Sequence, residues 1–240
     1  MHYGIIAAGE GSRLVQEGVA LPKPLVNIQG RPMIRRLIDI FLQGDAESIN
    51  IIVNEQMQAV GAYLRGLSPQ LPVPLRLVVK STPSSMHSFR ELSALMRQTG
   101  GKFVLTTVDT IFRPGEFNAY VRAFASAPAG VQGMMPMTSF IDDEKPLYIR
   151  TDGRGRITGF LDTQEPGVRF VSGGIYGLTA PAFDVLDDCM RRGVSRMRNF
   201  QRAMVEAGLR LQGYEFRKIV DVDHAGDIAT AEAFLNAEEG

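Results

Sequence analysis

Residues 5–14 read IIAAGEGSRL, and this stretch decides which kind of fold the chain adopts. Residues 3–8 are a short, nearly continuous apolar run that ends before a glycine, which is typical of a strand buried on both faces of a parallel sheet. A glycine-rich loop follows, and then Ile34, Leu37, Ile38 and Phe41 repeat at the spacing of one helix face within residues 31–42. A strand, a loop and a helix in this order indicate the opening of an α/β fold.

The same alternation recurs further along the chain. The pattern predicts strands at 50–53, 75–79 and 102–108, and helices at 55–64 and 87–97. Because parallel strands need crossover connections, and these are right-handed, we predict a doubly wound, mostly parallel central sheet with helices on both faces.

The second half of the chain is less regular. It predicts strands at 131–137 and from 148 onward, a polar loop at 142–145, a hairpin around the glycines of 152–155, and helices at 115–125, 180–191, 197–207 and 227–235. Since no stretch is rich enough in Pro, Gly or Ser to act as a linker, we predict one domain over residues 1–240.

Composition excludes several classes of function. The chain has 26 basic and 26 acidic residues, so its zero formal charge gives no electrostatic reason to expect a nucleic-acid or anionic-membrane partner. No basic region precedes the first apolar run, and no stretch approaches the roughly 20 apolar residues of a membrane helix. The single Cys189 cannot form an internal disulfide. We therefore expect a cytoplasmic protein.

The loop after the first strand has the residue types of an anion-binding site. Gly9 and Gly11 let backbone N–H groups approach a phosphate, and Arg13 and Lys23 add charge that can meet a triphosphate. Two commoner phosphate motifs do not fit, because a dinucleotide fingerprint needs a small residue where Leu14 stands and a P-loop ends in Gly-Lys-Ser/Thr. On these residues alone, an ordinary glycine-rich turn is an equal alternative.

Carboxylates follow two later apolar stretches. Asp109 ends the apolar run 104–108, so it should face the same crevice as the first loop, unless it is only a turn or cap residue. Asp221 and Asp223 alternate with valines and would share one face of a strand, where they could hold a metal. An Asp-x-Asp pair also begins a phosphatase motif, but that motif needs a domain after it and few residues follow Asp223.

The combination of residues 5–14 with Pro22-Lys23-Pro24-Leu25 resembles the signature of the sugar-phosphate nucleotidyltransferases, which have a GT-A-like fold. The resemblance implies catalytic roles for Arg13 and Lys23. It implies Mg²⁺ ligation by Asp109 and by one of the two late aspartates, Asp223 in preference to Asp221. It implies nucleotide binding by Ala8, Gly9, Gly11, Ser12, Ser84 and Ser85.

On the acceptor side the resemblance is weaker. The family's sugar-phosphate pocket is lined by a strand similar to the one that carries Gly173, Gly174 and Tyr176. The family often has Glu-Lys-Pro upstream, but here Glu165 stands where the lysine is expected. Arg169 is our candidate for the missing cation.

The resemblance implies transfer of a nucleoside monophosphate from an NTP to a phosphorylated acceptor such as a sugar 1-phosphate, with release of pyrophosphate. Residues 1–110 would form the nucleotide-binding half, and residues 111–240 the acceptor-binding half with a closing helix. A homodimer is compatible with the sequence. A catalytically weak nucleotide- or sugar-binding relative and a haloacid-dehalogenase-like phosphatase are the alternatives, and the sequence does not choose the base.

Overall fold

The structure is a computed structural model that describes residues 1–141 and 144–237. Its strands are β1 (His2–Ala7), β2 (Asn27–Ile28), β3 (Arg31–Pro32), β4 (Ser48–Val53), β5 (Leu75–Val79), β6 (Phe103–Thr107), β7 (Thr110–Ile111), β8 (Gly133–Thr138), β9 (Tyr148–Thr151), β10 (Ile157–Leu161), β11 (Phe170–Ser172), β12 (Ile175–Leu178), β13 (Leu211–Phe216) and β14 (Val220–Asp221). Its helices are α1 (Ser12–Gln16), α2 (Met33–Gln43), α3 (Gln58–Leu67), α4 (Ser85–Met96), α5 (Pro114–Ser126), α6 (Pro181–Arg191), α7 (Met197–Glu206) and α8 (Ala225–Asn236).

A ten-stranded sheet organises both halves of the chain. Its central strand β1 lies between β4 and β6 and is parallel to both, and β5 continues the parallel part beyond β4. On the other side, β12 is antiparallel to both β6 and β8, while β13 runs parallel to β8. The predicted doubly wound, mostly parallel sheet is confirmed, with β12 as the reversed strand of its central part. Strands β9 to β11 form an antiparallel extension.

Two hydrophobic layers cover the two faces of the sheet. Successive side chains of a strand point to opposite faces, so Tyr3, Ile5 and Ala7 of β1 pack into the layer formed with α2, α3, α5 and α8. Ile6 and Ala8 pack into the layer formed with α4, α6 and α7. Because β1 is buried on both faces, its carboxyl end is a rigid support for the loop that follows.

Several boundaries differ from the sequence prediction. Helix α3 begins at Gln58 rather than at 55, because a turn that joins Met57 N to Asn54 O precedes it. Helix α8 begins at Ala225 rather than at 227, because Asp227 and His224 form a capping box around its first turn. The hairpin around 152–155 is confirmed as the β9–β10 connection, whereas β13 was not predicted. In the predicted polar loop 142–145, Asp142 and Asp143 lie outside the described residues.

No helix within residues 1–141 and 144–237 is both long and apolar enough to cross a bilayer.

Gly177 in β12 is a position where the packing requires glycine. A Cβ atom there would lie 2.5 Å from the Tyr120 hydroxyl and 3.0 Å from the backbone oxygen of Met134. We expect Gly177→Ala to lower the free energy of unfolding by about 1–3 kcal/mol, as overpacked core positions do, measured by urea denaturation. The control is Gly115→Ala in α5, where a Cβ would meet no atom within 4 Å. Equal stability of the two variants would contradict the packing assignment.

Candidate active site

A cleft of about 640 Å³ lies at the carboxyl end of β1 and β6, where ligands bind in open α/β sheets. It brings together segments that are far apart in the sequence: the loop after β1, the turn that carries Lys23, the start of α4, and the residues after β6 and β14. Every residue predicted to bind the nucleotide lines this cleft, namely Ala8, Gly9, Gly11, Ser12, Ser84 and Ser85. Arg13, Lys23, Asp109 and Asp223 line it as well.

Gly11 lets the first loop pack against the Lys23 segment. Its φ of 64° is left-handed, and a Cβ atom there would lie only 2.9 Å from the Cβ of Lys23. Lys23 begins a 3-10 turn (Lys23–Leu25), and the prolines on either side of Lys23, Pro22 and Pro24, restrict the backbone. The two segments therefore fit together only because residue 11 lacks a side chain.

Lys23 is the centre of an ionic cluster. Its Nζ lies 2.6 Å from Asp109 Oδ2 and 2.6 Å from Asp223 Oδ1, and the residue is only 8% exposed. Arg13 Nη1 lies 3.2 Å from Asp223 Oδ2. Two cations from the first part of the chain thus meet two carboxylates from later segments, at the floor of the cleft.

Lys23 and Asp109 are charged at neutral pH. Burial lowers the pKa of Lys23, but the carboxylates of Asp109 and Asp223 outweigh this effect and hold its pKa above the usual value. Burial raises the pKa of Asp109, but the Lys23 ammonium and a hydrogen bond with Thr107 outweigh it, so this pKa is lower than usual. Lys23 is therefore a cation, and Asp109 an anion, ready to meet charged ligands.

Short strands bring the late aspartates to this cluster. β14 pairs with β7 so that Asp221 lies opposite Thr110, and Val222 N donates to Asp109 O at 3.1 Å. The strand ends at Asp221, so Asp223 lies beyond it and not within a strand as predicted, although both aspartates line one cavity. The backbone N–H of Asp223 instead donates to Asp227 Oδ2 at 2.9 Å, in the turn that leads into α8.

A second, smaller cavity of about 80 Å³ adjoins the cleft and shares Arg13 and Asp223 with it. Asp221 and the predicted acceptor residue Gly173 line this cavity. Its other lining residues include Thr138, Phe140, Glu144, Pro146, Ser172 and His224. Its position beside the cluster makes it the candidate acceptor pocket.

The remaining predicted acceptor residues do not line either space. Gly174 has a φ of 66°, and its carbonyl accepts a hydrogen bond from Thr107 N at 3.2 Å, so it shapes the backbone between β11 and β12. Tyr176 is 5% exposed and packs in the core. Arg169 is exposed, and its guanidinium carbon lies 4.6 Å from the centre of the Phe170 ring.

Glu165, which replaces the family's lysine, forms an ion pair with Arg150 at 3.3 Å. Both side chains are about half exposed. The cation beside this carboxylate is Arg150, and the predicted role of Arg169 as the cation for the acceptor phosphate remains a prediction.

Asn54 did not stand out in the sequence, yet its side chain joins two segments that line the cleft. Its Nδ2 donates to Ala8 O at 3.3 Å, and its Oδ1 accepts a hydrogen bond from Ser81 Oγ at 2.8 Å. The residue is 4% exposed and so ties the first loop to the segment before α4. Asn54 directly follows the apolar strand β4, so the rule that singled out Asp109 could have found it.

A second contact that the sequence did not reveal joins the end of α1 to the start of α8. Glu17, just after α1, accepts hydrogen bonds from Ala225 N and from His224 Nδ1, each at 2.6 Å. It thereby holds the first turn of α8 against the end of α1, which begins at the glycine loop.

The donor set at the cluster is compatible with magnesium. Within residues 1–141 and 144–237, no group of three or more His, Cys, Asp or Glu side chains converges to form a complete metal site. Asp109 and Asp223 nevertheless approach one common point, where their oxygens contact Lys23 Nζ. Two carboxylates suit Mg²⁺, because this ion usually takes one or two protein carboxylates and completes its shell with water and substrate phosphates.

Solved structures define the class of fold. The putative glucose-1-phosphate thymidylyltransferase of Bacillus anthracis is 19% identical and superposes with a TM-score of 0.81 over 100% of this chain and 98% of that chain. The inositol-1-phosphate CTP transferase of T. maritima is 15% identical, with a TM-score of 0.77 over 100% and 96%. The fold is therefore that of the sugar-phosphate nucleotidyltransferases.

Within this class, residues 4–172 match the MobA-like NTP transferase domain, and the chain belongs to that family. One curated relative is the CMP-5'-(3-aminopropyl)phosphonate synthase of Streptomyces rubellomurinus, 23% identical over 167 residues, which are 69% of this chain and 25% of the relative. Another is the bifunctional protein GlmU of Methanococcus maripaludis, 22% identical over 238 residues, which are 97% of this chain and 54% of the relative. The chain thus matches a quarter to a half of the length of these relatives.

Proposed function

We propose that this protein transfers a nucleoside monophosphate from an NTP to a phosphorylated small molecule and releases pyrophosphate. The observation that carries the proposal is the Lys23 ammonium, buried between Asp109 and Asp223 where the cleft meets the smaller cavity. The cleft accommodates the nucleotide and the cavity the acceptor, so the reacting phosphates meet at this cluster. Membership of the NTP transferase family supports the same reaction.

The reaction requires little covalent chemistry from the protein. A phosphate oxygen of the acceptor attacks the α-phosphorus of the NTP in line. The new P–O bond forms as the bond from the α-phosphorus to the bridging oxygen breaks, and pyrophosphate leaves with that electron pair. Because the acceptor phosphate is already ionised at neutral pH, no general base is needed, and catalysis depends on positioning and on charge stabilisation by Lys23 and Arg13.

Magnesium belongs to this proposal. Asp109 and Asp223 are the residues that would hold the ion, and when bound it would neutralise negative charge on the triphosphate. Asp221, which lines the smaller cavity, is assigned to the acceptor side. The chain's own contribution is to bring the two carboxylates to one point from β6 and from the segment after β14.

The proposal also covers how the nucleotide lies in the cleft and where in the cell the protein is found. Backbone groups of the loop from Gly9 to Ser12 face the phosphates, and Ser84 and Ser85 face the base. The names of the relatives and structural neighbours include CMP, CTP and thymidylyl compounds, so experiment has to identify the base. A cytoplasmic location and a homodimer remain predictions.

The proposal is tested by incubating the protein with Mg²⁺, one of CTP, UTP, GTP or dTTP, and a panel of phosphorylated acceptors. We expect pyrophosphate release that depends on the acceptor, measured with a coupled assay, and little release when the acceptor is omitted. NTP binding by calorimetry without any pyrophosphate release would instead identify a nucleotide-binding relative. Release of inorganic phosphate from a simple phosphate ester would favour the phosphatase alternative.

A further inference from the structure

A third cavity of about 460 Å³ lies where α2, the β2–β3 hairpin, the start of α5 and the end of α8 meet. Within residues 1–141 and 144–237, none of its lining residues also lines the cleft or the smaller cavity. Arg31, Arg36 and Arg113 line it, and Asp39 is the one carboxylate among its described lining residues. The third cavity is therefore a separate space whose wall is rich in arginine.

Two arginines share the carboxylate of Asp39. Its Oδ2 lies 2.9 Å from Arg31 Nη1, and its Oδ1 lies 2.9 Å from Arg35 Nε. Arg31 uses a single nitrogen in this contact and its side chain is 67% exposed, so the guanidinium has further N–H donors for a ligand. Because two cations share one anion, this group of side chains has a net positive charge.

Arg36 is a half-buried cation, and in the described part of the chain no carboxylate compensates its charge. Its Nη2 donates to Phe112 O at 2.7 Å, whereas its Nη1 is buried and has no hydrogen-bond partner among the described residues. Burial lowers the pKa of the Arg36 guanidinium to about 10, which still leaves it a cation at neutral pH. A buried charge without a counter-charge is costly, and an anion bound in the cavity would reduce that cost.

Contacts between distant segments fix the other walls. Arg113 Nη2 donates to Phe234 O at 3.1 Å and to Ala237 O at 2.7 Å, so the start of α5 is joined to the end of α8. Gln29 Nε2 donates to Asn236 Oδ1 at 2.6 Å, so the β2–β3 hairpin is joined to the same helix. These contacts define the shape of the cavity on two sides.

We propose that the third cavity binds a ligand that carries a phosphate group, with the phosphate at Arg36 and Arg31. This site lies outside the proposed function and does not depend on it. Guanidinium groups bind phosphate through charge-assisted hydrogen bonds, and a phosphate dianion matches the charge of two of them. The cavity is larger than a phosphate, and Ile28, Ile40 and Leu235 give it an apolar wall, so it also accommodates the organic part of a phosphate ester such as a nucleotide.

The test titrates the isotope-labelled full chain with inorganic phosphate in the absence of Mg²⁺ and follows the N–H signals by NMR. NaCl holds the ionic strength constant, so that screening of surface charges does not change during the titration. We expect saturable shifts of the backbone signals of Gln29, Arg31 and Arg113 and of the side-chain Nε–H signal of Arg36. Pyrophosphate and a nucleoside diphosphate are the next probes: tighter binding of the nucleoside diphosphate would identify a nucleotide as the ligand, and equal binding of the two would identify an inorganic phosphate compound.

Variants identify the groups that bind the phosphate. Arg36→Gln removes the charge but keeps a donor for Phe112 O, and it should raise the dissociation constant of phosphate about tenfold or more, as loss of a hydrogen bond to a charged group typically does. Arg31→Gln changes an exposed side chain, so the fold should tolerate it, and it should raise the constant severalfold. The matched control is Arg191→Gln in α6, which removes an exposed arginine paired with Asp188 and should leave the constant unchanged. Equal affinities in all of these proteins would overturn the inference.

Three further outcomes would also overturn the inference. Shifts confined to the loop of residues 9–12 would place the phosphate in the cleft alone, and acetate that binds as tightly as phosphate would exclude a phosphate site. Glu238 and Glu239 follow the cavity residue Ala237 in the sequence, and the double variant Glu238→Gln/Glu239→Gln should bind phosphate as the parent does. Binding that is found only in this double variant would mean that the chain's own carboxylates fill the cavity. Since none of these measurements depends on pyrophosphate release, their result is independent of nucleotidyl transfer.

Discussion

Lys23→Ala is expected to lower the turnover number by about a hundredfold or more. Lys23 is 8% exposed and fixed by two carboxylates, so it is a preorganised charge, and removal of one such donor typically costs about 2.7–4 kcal/mol of transition-state stabilisation. The dissociation constant of the NTP should change less, because Arg13 and the loop N–H groups remain. Turnover is measured by pyrophosphate release, and binding by calorimetry.

The matched control is Lys80→Ala, which removes a half-exposed lysine paired with Glu91 at 2.9 Å. It should leave turnover unchanged. Because Lys23→Ala leaves Asp109 without its nearest cation, thermal unfolding of both variants shows whether any loss reflects stability. Near-normal turnover in a folded Lys23→Ala protein would mean that the turn of residues 22–25 is only structural.

Asp109→Asn is expected to weaken the magnesium-dependent part of NTP binding and to lower turnover strongly. The carboxylate lies 2.6 Å from Lys23 Nζ and its pKa is below the usual value, so it is an anion under assay conditions. Asparagine keeps the shape and one acceptor oxygen but removes the charge. Calorimetric titration of the NTP with and without Mg²⁺ isolates the part of the binding free energy that depends on the metal.

Thermal stability of Asp109→Asn should remain within a few degrees of the parent, since ligand carboxylates are often a burden on stability rather than a support. Asp184→Asn, an exposed change in the first turn of α6, is the control. If metal-dependent binding persisted in Asp109→Asn, this residue would be a turn residue, and the metal would have to be sought elsewhere.

The central part of the fold could be predicted from sequence because its signals are local. Strands β1, β4 and β6 are buried on both faces and appear in the sequence as short apolar runs, and the glycine loop directly follows the first of them. Because ligands bind at the carboxyl ends of parallel strands, Asp109 could be predicted to lie near the glycine loop after β1. All of the predicted nucleotide residues line one cleft for this reason.

The acceptor side was harder because tertiary contacts decide it. Asp221 and Asp223 look alike in sequence and both line the smaller cavity, but of the two Asp223 alone, beyond the end of β14, also lines the cleft. Arg169, the candidate replacement for the family's lysine, lies over the Phe170 ring and lines neither space, whereas Glu165 pairs with Arg150 of β9. Which side chains line a cavity or form an ion pair depends on the register between distant segments, and short motifs do not encode that register.

The contact between Lys23 and Asp223 spans 200 positions of the chain. Contacts of such sequence separation close large loops, and closing a large loop costs more entropy than closing a short one. During synthesis, the first loop and β1 are made long before the segment after β14. A nascent chain that already has the phosphate loop therefore lacks one of the two carboxylates that hold Lys23, and its ionic cluster can be completed only after Asp223 has been made.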